Sequence, residues 1–189
     1  MREGKLVILS APSGAGKTTI VKHLLKNMPS LLFSVSATSR EPRKGEQEGV
    51  DYYFLSVDAF TAKIRANEFV EYENVYPGLF YGTLHSEVNR IWELGKDVAI
   101  DMDVMGGMHL KEIFGARALS IFIHPPSIEV LEERLRKRGT ETEEKIAMRL
   151  AKANKEIESA VHFDVVILND VLEVAIEQVV SKVNEFLSK

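Results

Sequence analysis

The stretch that decides the fold reads VILSAPSGAGKTTIV and spans residues 7–21. Its apolar, branched start predicts a buried strand, a turn with two glycines follows, and an amphipathic helical pattern begins directly after the turn. Closely spaced glycines let backbone N–H groups point into one concavity, and a helix N-terminus adds free donors and the positive end of its dipole. A strand, loop and helix of this kind is typical of a site for a phosphate chain.

Two side chains at the end of this loop carry the expected chemistry. Lys17 supplies a mobile positive charge for phosphate oxygens, and the hydroxyl of Thr18 is a suitable magnesium ligand. The general pattern has glycine where this chain has Ala11, so we expect an ordinary negative φ there. The alternative is a plain turn with a solvated lysine, but such a turn does not require the Gly16-Lys17-Thr18 sequence. The loop therefore predicts nucleotide binding.

Composition limits the remaining possibilities. A chain of 189 residues with 45% hydrophobic and 28% charged residues is typical of one packed, soluble domain. The formal net charge of -4 gives no basis for binding nucleic acid or a membrane surface non-specifically. The absence of cysteine excludes disulfides and thiolate chemistry and is compatible with a reducing compartment. With no signal-peptide pattern at the start, we expect a cytoplasmic protein.

The order of predicted elements is that of an α/β fold with an insertion. Strands and helices alternate along most of the chain, as in a parallel sheet flanked by helices. Between residues 34 and 84 the pattern changes to aromatic strands joined by a Pro77-Gly78 turn, which predicts a small mixed sheet with one helix. The alternation then resumes, with Gly106-Gly107 expected to open a helix. We therefore predict a core of residues 1–33 and 85–189 and an inserted lobe at about 34–84.

Two carboxylates lie at the end of the predicted strand at residues 97–101. Ligands of α/β sheets bind at the carboxyl ends of the strands, so Asp101 and Asp103 are expected beside the phosphate-binding loop. There a carboxylate can orient magnesium-bound water or accept a hydrogen bond from a second ligand. The alternative for Asp101 is a cap on the following turn, and the sequence does not assign separate roles to the two aspartates.

The whole chain resembles the guanylate kinases, which transfer the γ-phosphoryl group of ATP to GMP. Ala11 is a frequent variant in that family. The resemblance implies a P-loop NTPase fold with an inserted GMP-binding lobe and a helical lid at about residues 134–150, all in one domain. The segments that carry it are SAPSGAGK at 10–17, SVSATSREPR at 34–43, GVDYYF at 49–54, EFVE at 68–71, YGT at 81–83, DMD at 101–103, RGTET at 138–142 and ND at 169–170.

The resemblance implies a group of residues that binds the phosphate in the acceptor site. Arg40, Arg43, Tyr52 and Tyr81 would clamp the GMP phosphate, because the arginine fork and the tyrosine hydroxyl suit phosphate oxygens. Without the resemblance, an exposed basic loop and packed strand aromatics would explain these four residues equally well.

Guanine recognition is implied for four further residues. Carboxylates would accept from the guanine N–H groups, and hydroxyls would face its carbonyl group. The alternative for the strand carboxylate, Glu71, is one solvated charge on an edge strand. The residues concerned are Glu71 and Asp101 for the N–H groups, and Ser36 and Thr83 for the carbonyl side.

The donor site implied by the resemblance binds ATP with Mg²⁺. Magnesium would be held by Thr18, Asp101 and Asp103, partly through water, and Asn169 would contact adenine. Phosphoryl transfer needs positioning and charge neutralisation, so no nucleophilic side chain is expected. The ATP-binding residues would be Ala11, Pro12, Ser13, Gly14, Ala15, Gly16, Lys17, Thr18, Thr19 and Asn169, and the catalytic charges Lys17, Arg134, Arg138 and Arg149.

Two other functions are alternatives to this one. A related kinase could act on another phosphate acceptor such as a ribose bisphosphate, but it would have no use for Glu71, Ser36 and Thr83. A non-enzymatic guanylate-kinase-like module that binds phosphopeptides would typically have a degraded nucleotide loop and belong to a longer chain. We therefore expect a purine-nucleotide kinase with ATP and GMP or dGMP as substrates, no nucleic-acid or membrane partner, and a monomeric or homodimeric state.

Overall fold

The structure, a computed structural model, describes residues 4–138 and 142–189, without the side chain of Arg138. The described strands and helices are, in chain order, β1 (Leu6–Ser10), α1 (Lys17–Asn27), β2 (Leu31–Phe33), β3 (Ala37–Thr38), β4 (Tyr53–Phe54), α2 (Val57–Arg65), β5 (Phe69–Tyr76), β6 (Leu79–Leu84), α3 (His85–Glu93), β7 (Asp97–Met102), α4 (Val104–Phe114), β8 (Ala118–His124), α5 (Ile128–Arg138), α6 (Glu143–Glu158), β9 (Val165–Leu168) and α7 (Leu172–Leu187).

These elements confirm the predicted α/β fold. A five-stranded sheet has the order β2-β7-β1-β8-β9, and a four-stranded sheet has the order β4-β3-β6-β5. Two compact units divide the chain. Unit 1 holds residue 4 and residues 30–100, and unit 2 holds residues 5–29 with the described part of 101–189. The predicted inserted lobe, at about 34–84, falls within unit 1, which also contains β2, α3 and β7.

Unit 2 is built on the parallel pair β1 and β8. Their register runs from Leu6 opposite Ala118 to Ser10 opposite Phe122, and all five residues of β1 are buried. Burial on both faces of a parallel strand explains why the sequence here is a continuous apolar run. Strand β9 continues the sheet in parallel beside β8. The loop after β1 is therefore anchored to the most buried strand of the unit.

Helix α4 begins two residues earlier than the sequence predicted. It starts at Val104, with Asp103 as its N-cap, so Gly106 and Gly107 lie within the first turn. A Cβ atom on Gly107 would lie closer than 3.0 Å to the hydroxyl of Ser10. A side chain here would displace the Ser10 hydroxyl, so the close packing of α4 on β1 favours glycine.

Replacing Gly107 with alanine is expected to destabilise the protein by about 1–3 kcal/mol, because the added methyl group overpacks this contact. Urea unfolding followed by circular dichroism measures the change. Met105→Ala on the same helix is the matched control, since the Met105 side chain is 62% exposed. We expect the free energy of unfolding of Met105→Ala to stay within about 0.5 kcal/mol of the wild-type value. A Gly107→Ala variant as stable as the wild type would show that α4 and β1 tolerate a larger separation.

Unit 1 contains the mixed sheet that the aromatic segments predicted. Strands β5 and β6 form an antiparallel hairpin, β3 pairs antiparallel with β6, and β4 pairs parallel with β3. Below the sheet, Phe60 of α2 stacks on Phe69 and Phe80 with ring centroids 4.3 and 5.3 Å apart. Strand β4 is shorter than its apolar run, since Asp51 accepts from the backbone N–H of Gln47 in a turn.

Within residues 4–138 and 142–189, every helix is too short or too polar to cross a membrane.

Candidate nucleotide-binding site

The loop after β1 has the backbone that its glycines predict. Gly14 and Gly16 both have φ of 95°, in the left-handed region that glycine adopts without strain. A Cβ atom on Gly16 would lie closer than 3.0 Å to the amide nitrogen of Asn169. Among the described residues, Asn67 is the one non-glycine residue with positive φ, so Ala11 keeps an ordinary backbone. The alanine therefore leaves the loop geometry intact.

Lys17, the first residue of α1, extends to the end of β7. Its ammonium group donates to the carbonyl oxygen of Met102 at 2.6 Å and forms an ion pair with Asp101. The side chains of Lys17 and Asp101 are 17% and 20% exposed, so the pair remains accessible to a ligand. Unit 2 thus brings together the loop lysine and the strand-terminal carboxylate that the sequence placed side by side.

The two aspartates have different surroundings. Asp103 caps α4 by accepting from the backbone N–H of Gly106 at 2.8 Å, and its carbonyl oxygen accepts from Ser10 at 3.0 Å. Asp101 instead faces the ammonium group of Lys17. The residue that caps the following helix is therefore Asp103. The assignment of either carboxylate to magnesium remains a prediction.

The oxygen donors near the loop suit magnesium. The residue Thr18 is exposed and Asp101 is partly exposed, and Mg²⁺ usually takes one or two protein oxygens beside phosphate and water. Throughout the described residues, His, Cys, Asp and Glu form no group of three or more that could hold a metal by themselves. This donor set fits an ion that arrives with a nucleotide.

Asn169 and Arg134 lie next to the phosphate-binding loop. Asn169 donates from its side chain to the carbonyl oxygen of Ala15 at 2.6 Å, and Arg134 donates to the backbone carbonyl of Asn169 at 3.1 Å. The side-chain oxygen of Asn169 and one terminal nitrogen of Arg134 are buried and have no hydrogen-bond partner among residues 4–138 and 142–189. Buried polar atoms in this state are suited to a ligand that supplies the missing partners.

A cavity of about 370 Å³ lies at these two residues. Its volume is within the range of pockets that hold a small organic ligand. Unit 2 therefore provides an open pocket next to the phosphate-binding loop, with Asn169 and Arg134 in its lining. The lining residues are Gly14, Gly16, Thr19, Arg134, Lys137, Asn169, Asp170 and Leu172.

The predicted lid arginines lie on α5 and α6. Arg134 faces the cavity, and Arg149 donates to the hydroxyl of Ser13 in the loop. The side chain of Arg138 lies outside the described part of the chain. Glu156 of α6, which no sequence pattern marked, is paired with Lys152 at 3.4 Å. Burial raises the pKa of Glu156, and the charge of nearby Asp103 raises it further.

In unit 1, three of the four predicted phosphate-clamp residues meet. The guanidinium of Arg40 donates to the hydroxyl of Tyr81 at 3.2 Å and lies 4.9 Å from the ring centroid of Tyr52. The two tyrosine rings pack edge to face with centroids 5.8 Å apart. Arg43, the fourth residue, is exposed. Its role in the clamp remains a prediction.

A carboxylate that the sequence analysis missed binds the fork of Arg40. Glu46 accepts from both terminal nitrogens of Arg40 at 2.6 and 2.7 Å, and its Oε2 accepts from the backbone N–H of Arg43 at 2.7 Å. Hydrogen bonds from Arg40 and from the Arg43 backbone lower the pKa of Glu46 from 4.5 to about 2, and the same contact raises the pKa of Arg40. Arg40 is therefore already arranged to bind a planar or tetrahedral anion. The signal in the sequence was an acid three residues after Arg43.

Because its pKa is lower in the folded state, Glu46 stabilises the fold above pH 4.5, and this contribution is lost as pH falls towards 2. We expect acidification from pH 6 to pH 3 to lower the melting temperature of the wild type more than that of Glu46→Gln. Differential scanning calorimetry across this range measures the difference. Removal of the exposed carboxylate of Glu41, in the same loop, is the control and should leave the wild-type acid sensitivity. Equal acid sensitivity of wild type and Glu46→Gln would contradict the prediction.

The two strongest candidates for guanine recognition lie opposite each other on β5 and β6. Glu71 is paired with Thr83 across the hairpin, and the hydroxyl of Thr83 donates to Glu71 at 3.0 Å. Glu71 is only 6% exposed, so the alternative of a solvated edge charge is wrong. Ser36 is half-buried, and its carbonyl oxygen accepts from the backbone N–H of Tyr53 at 2.9 Å. The guanine contacts themselves remain predictions.

Comparison with known proteins identifies the family. The family model described as guanylate kinase matches residues 3–187. The guanylate kinase of Porphyromonas gingivalis is 52% identical over 186 residues, which cover 98% of this chain and 99% of that protein. The guanylate kinase of Bacteroides thetaiotaomicron is 50% identical over 186 residues, 98% of this chain and 91% of that protein.

A solved structure agrees with these matches. The crystal structure of guanylate kinase from Anaplasma phagocytophilum superimposes with a TM-score of 0.78 at 30% identity, covering 98% of this chain and 87% of the other. The family match spans the phosphate-binding loop, the Arg40 cluster and the Glu71–Thr83 pair alike. The chain therefore belongs to the guanylate kinase family.

Proposed function

We propose that this protein is an ATP:GMP phosphotransferase that converts ATP and GMP into ADP and GDP. The observation that carries the choice of acceptor is the buried Glu71–Thr83 pair, in the same sheet as the clamp residue Tyr81. A buried carboxylate is a strong acceptor of hydrogen bonds, and guanine presents N–H donors on its base-pairing edge. An acceptor without a base would not supply them.

The acceptor phosphate binds at Arg40. Two terminal nitrogens of Arg40 hold the Glu46 carboxylate, and a phosphate that takes this position exchanges one anion for another. Glu46 can leave readily because its side chain is 19% exposed and can be solvated. Tyr81 and Tyr52 border the same guanidinium, and Arg43 adds a second positive charge. This part of the site fixes the attacking phosphate oxygen.

The donor nucleotide binds along the loop of unit 2. Backbone N–H groups of residues 11–19 and the ammonium group of Lys17 hold its phosphates, and the cavity at Asn169 holds adenine. In phosphoryl transfer the attacking group is the GMP phosphate itself, so these residues need only bind and orient. Lys17 and the arginines Arg134, Arg138 and Arg149 neutralise charge on the transferred group.

Magnesium is the expected cofactor, and Thr18, Asp101 and Asp103 are the side chains that would hold it, partly through water. Mg²⁺ bound to the ATP phosphates supplies a further positive charge for the transferred group. Asp101 is the better candidate of the two aspartates, because Asp103 uses a carboxylate oxygen to cap α4.

An ADP-release assay with five nucleoside monophosphates tests this function. Turnover is expected with GMP and dGMP and should be lower by orders of magnitude with AMP, CMP and UMP, because a buried carboxylate without its donors is costly. No GMP-dependent ADP release from folded protein would refute the proposal. Turnover with a ribose bisphosphate but not with GMP would favour the alternative kinase. Phosphopeptide binding without turnover would favour the non-enzymatic module. The cytoplasmic location and the monomeric or homodimeric state remain predictions.

A further inference from the structure

A second buried carboxylate in unit 1 belongs to Glu87, in the first turn of α3. Its side chain is 2% exposed, yet it forms an ion pair with Arg90 at 2.7 Å. Arg90 donates to both carboxylate oxygens, from Nη2 to Oε1 and from Nε to Oε2. A buried charge is tolerated only where such charge-assisted hydrogen bonds offset the lost solvation. Glu87 is therefore a fixed point in the interior of unit 1.

Two further donors reach Glu87 from other segments. The backbone N–H of Val35 donates to Oε1 at 3.2 Å, and the hydroxyl of Tyr53 donates to Oε2 at 3.1 Å. With Arg90 these make four hydrogen bonds, which use the full acceptor capacity of a carboxylate. Glu87 thus joins α3 to the segment before β3 and to strand β4, which are 52 and 34 residues away in sequence.

The positions of these donors connect Glu87 to the acceptor site. Val35 directly precedes Ser36, and Tyr53 directly follows Tyr52. The backbone N–H of Tyr53 also donates to the carbonyl oxygen of Ser36 at 2.9 Å. Ser36 is therefore held by the contact of Val35 with Glu87 and by its own hydrogen bond with Tyr53. Tyr52 is held because the adjacent residue, Tyr53, is bound to Glu87.

The protonation states favour this arrangement. Burial and the charge of Glu87 raise the pKa of Tyr53, so its hydroxyl remains a donor at neutral pH. Burial opposes ionisation of Glu87, but the Arg90 hydrogen bonds and the Val35 amide outweigh it and lower the pKa of Glu87. The carboxylate is ionised whenever the acceptor nucleotide binds near neutral pH.

We propose that Glu87 is a positioning residue for the GMP site. Through its contacts with Val35 and Tyr53, Glu87 holds the neighbouring residues Ser36 and Tyr52 in place. Its four hydrogen bonds leave it no capacity to bind a substrate group directly. The inference rests on the proposed function, because that function assigns Ser36 and Tyr52 to the acceptor. It extends the acceptor site to α3, which carries none of the residues assigned to a substrate.

Two isosteric variants test this role. Glu87→Gln removes the charge, and Tyr53→Phe removes a single hydroxyl donor. We expect KM for GMP to rise about 10-fold in Glu87→Gln and about 3-fold in Tyr53→Phe, in line with the loss of charged and neutral hydrogen bonds. KM for ATP should stay within about 2-fold of the wild type in both variants, since a positioning effect is confined to one substrate.

A double-mutant cycle and a matched control complete the test. In the Glu87→Gln background, adding Tyr53→Phe should raise KM for GMP by less than 2-fold, because the two residues act through one contact. Glu93→Gln removes an exposed carboxylate from the same helix and should leave both KM values unchanged. Circular dichroism confirms that each variant is folded, and Tyr53→Phe alone decides the question if Glu87→Gln does not fold.

The possible failures are distinguishable. Absence of GMP-dependent turnover in the wild type would refute the proposed function itself. Wild-type turnover combined with unchanged KM for GMP in the folded variants would refute only the role of Glu87. Equal increases in KM for GMP and for ATP would also refute it, because a general loss of structure does not discriminate between substrates.

Discussion

Replacing Lys17 with methionine is expected to lower kcat by about 10²–10³-fold while GMP binding is retained. The loss follows from removing one preorganised charge that stabilises the transferred phosphoryl group. Methionine keeps the unbranched stem and its helix propensity, so α1 is expected to remain folded. The ammonium group of Lys17 is the part of the loop that reaches the end of β7, where it contacts Met102 and Asp101.

The consequence for Asp101 is limited. Removing Lys17 leaves this carboxylate without its ion-pair partner, and a fully buried charge in that state would destabilise the protein strongly. The Asp101 side chain is 20% exposed, so water can solvate it in the variant. We therefore expect the Lys17→Met effect to be catalytic rather than a failure to fold.

Steady-state kinetics with saturating ATP and GMP measures kcat, and isothermal titration calorimetry with GMP alone measures acceptor binding. Lys22→Met is the matched control, because Lys22 lies on the same helix and is exposed. It should retain the wild-type kcat. A Lys17→Met variant with kcat within a few-fold of wild type would remove Lys17 from the catalytic site.

The parts of the fold with strong local signals were predictable from the sequence. The loop at residues 10–17 has glycines, a lysine and flanking periodic segments within one short stretch, and the structure shows the expected strand, loop and helix. The Pro77-Gly78 turn likewise predicted the hairpin of β5 and β6. In both cases the residues that decide the conformation are adjacent in sequence, so short-range patterns are sufficient.

The roles of the two aspartates were not predictable, because they depend on where α4 starts. The sequence suggested Gly106, but packing against β1 allows the helix to begin at Val104, and Asp103 then becomes its cap. Glu87 was missed for a related reason. Glu87 contacts residues 34 and 52 positions away, and no local pattern marks it as buried.

Glu46 and Glu87 show how exposure separates two uses of a carboxylate beside arginine. Glu46 accepts from both terminal nitrogens of Arg40, and Glu87 accepts from Nε and Nη2 of Arg90. The Glu46 side chain is 19% exposed, so a phosphate can replace it and water can solvate it. The Glu87 side chain is 2% exposed, and its displacement would leave a buried charge unpaired. The partly exposed pair of Glu46 and Arg40 suits a site that binds a ligand. The pair of the buried Glu87 and Arg90 suits a structural role that holds the site's residues in position.

Glu71→Gln is expected to raise KM for GMP by about 10-fold to 100-fold, with KM for ATP within about 2-fold of wild type. Hydrogen bonds to a charged acceptor contribute about 1.5–3 kcal/mol, which sets this range. Glutamine has the same size, but its amide group presents two N–H donors towards the N–H groups of guanine. The contact with Thr83 can persist through the remaining oxygen, so the hairpin should stay intact.

The change should also narrow the discrimination against AMP. A neutral amide at this buried position no longer needs strong donors, so kcat/KM should fall for GMP and change little for AMP. Glu68→Gln is the matched control, since its exposed side chain pairs with Lys63 at the start of the same hairpin. Initial rates with GMP, AMP and ATP varied separately measure all three effects. Equal increases in KM for GMP and ATP would instead assign Glu71 to the stability of β5, because a base-reading carboxylate acts on the acceptor nucleotide alone.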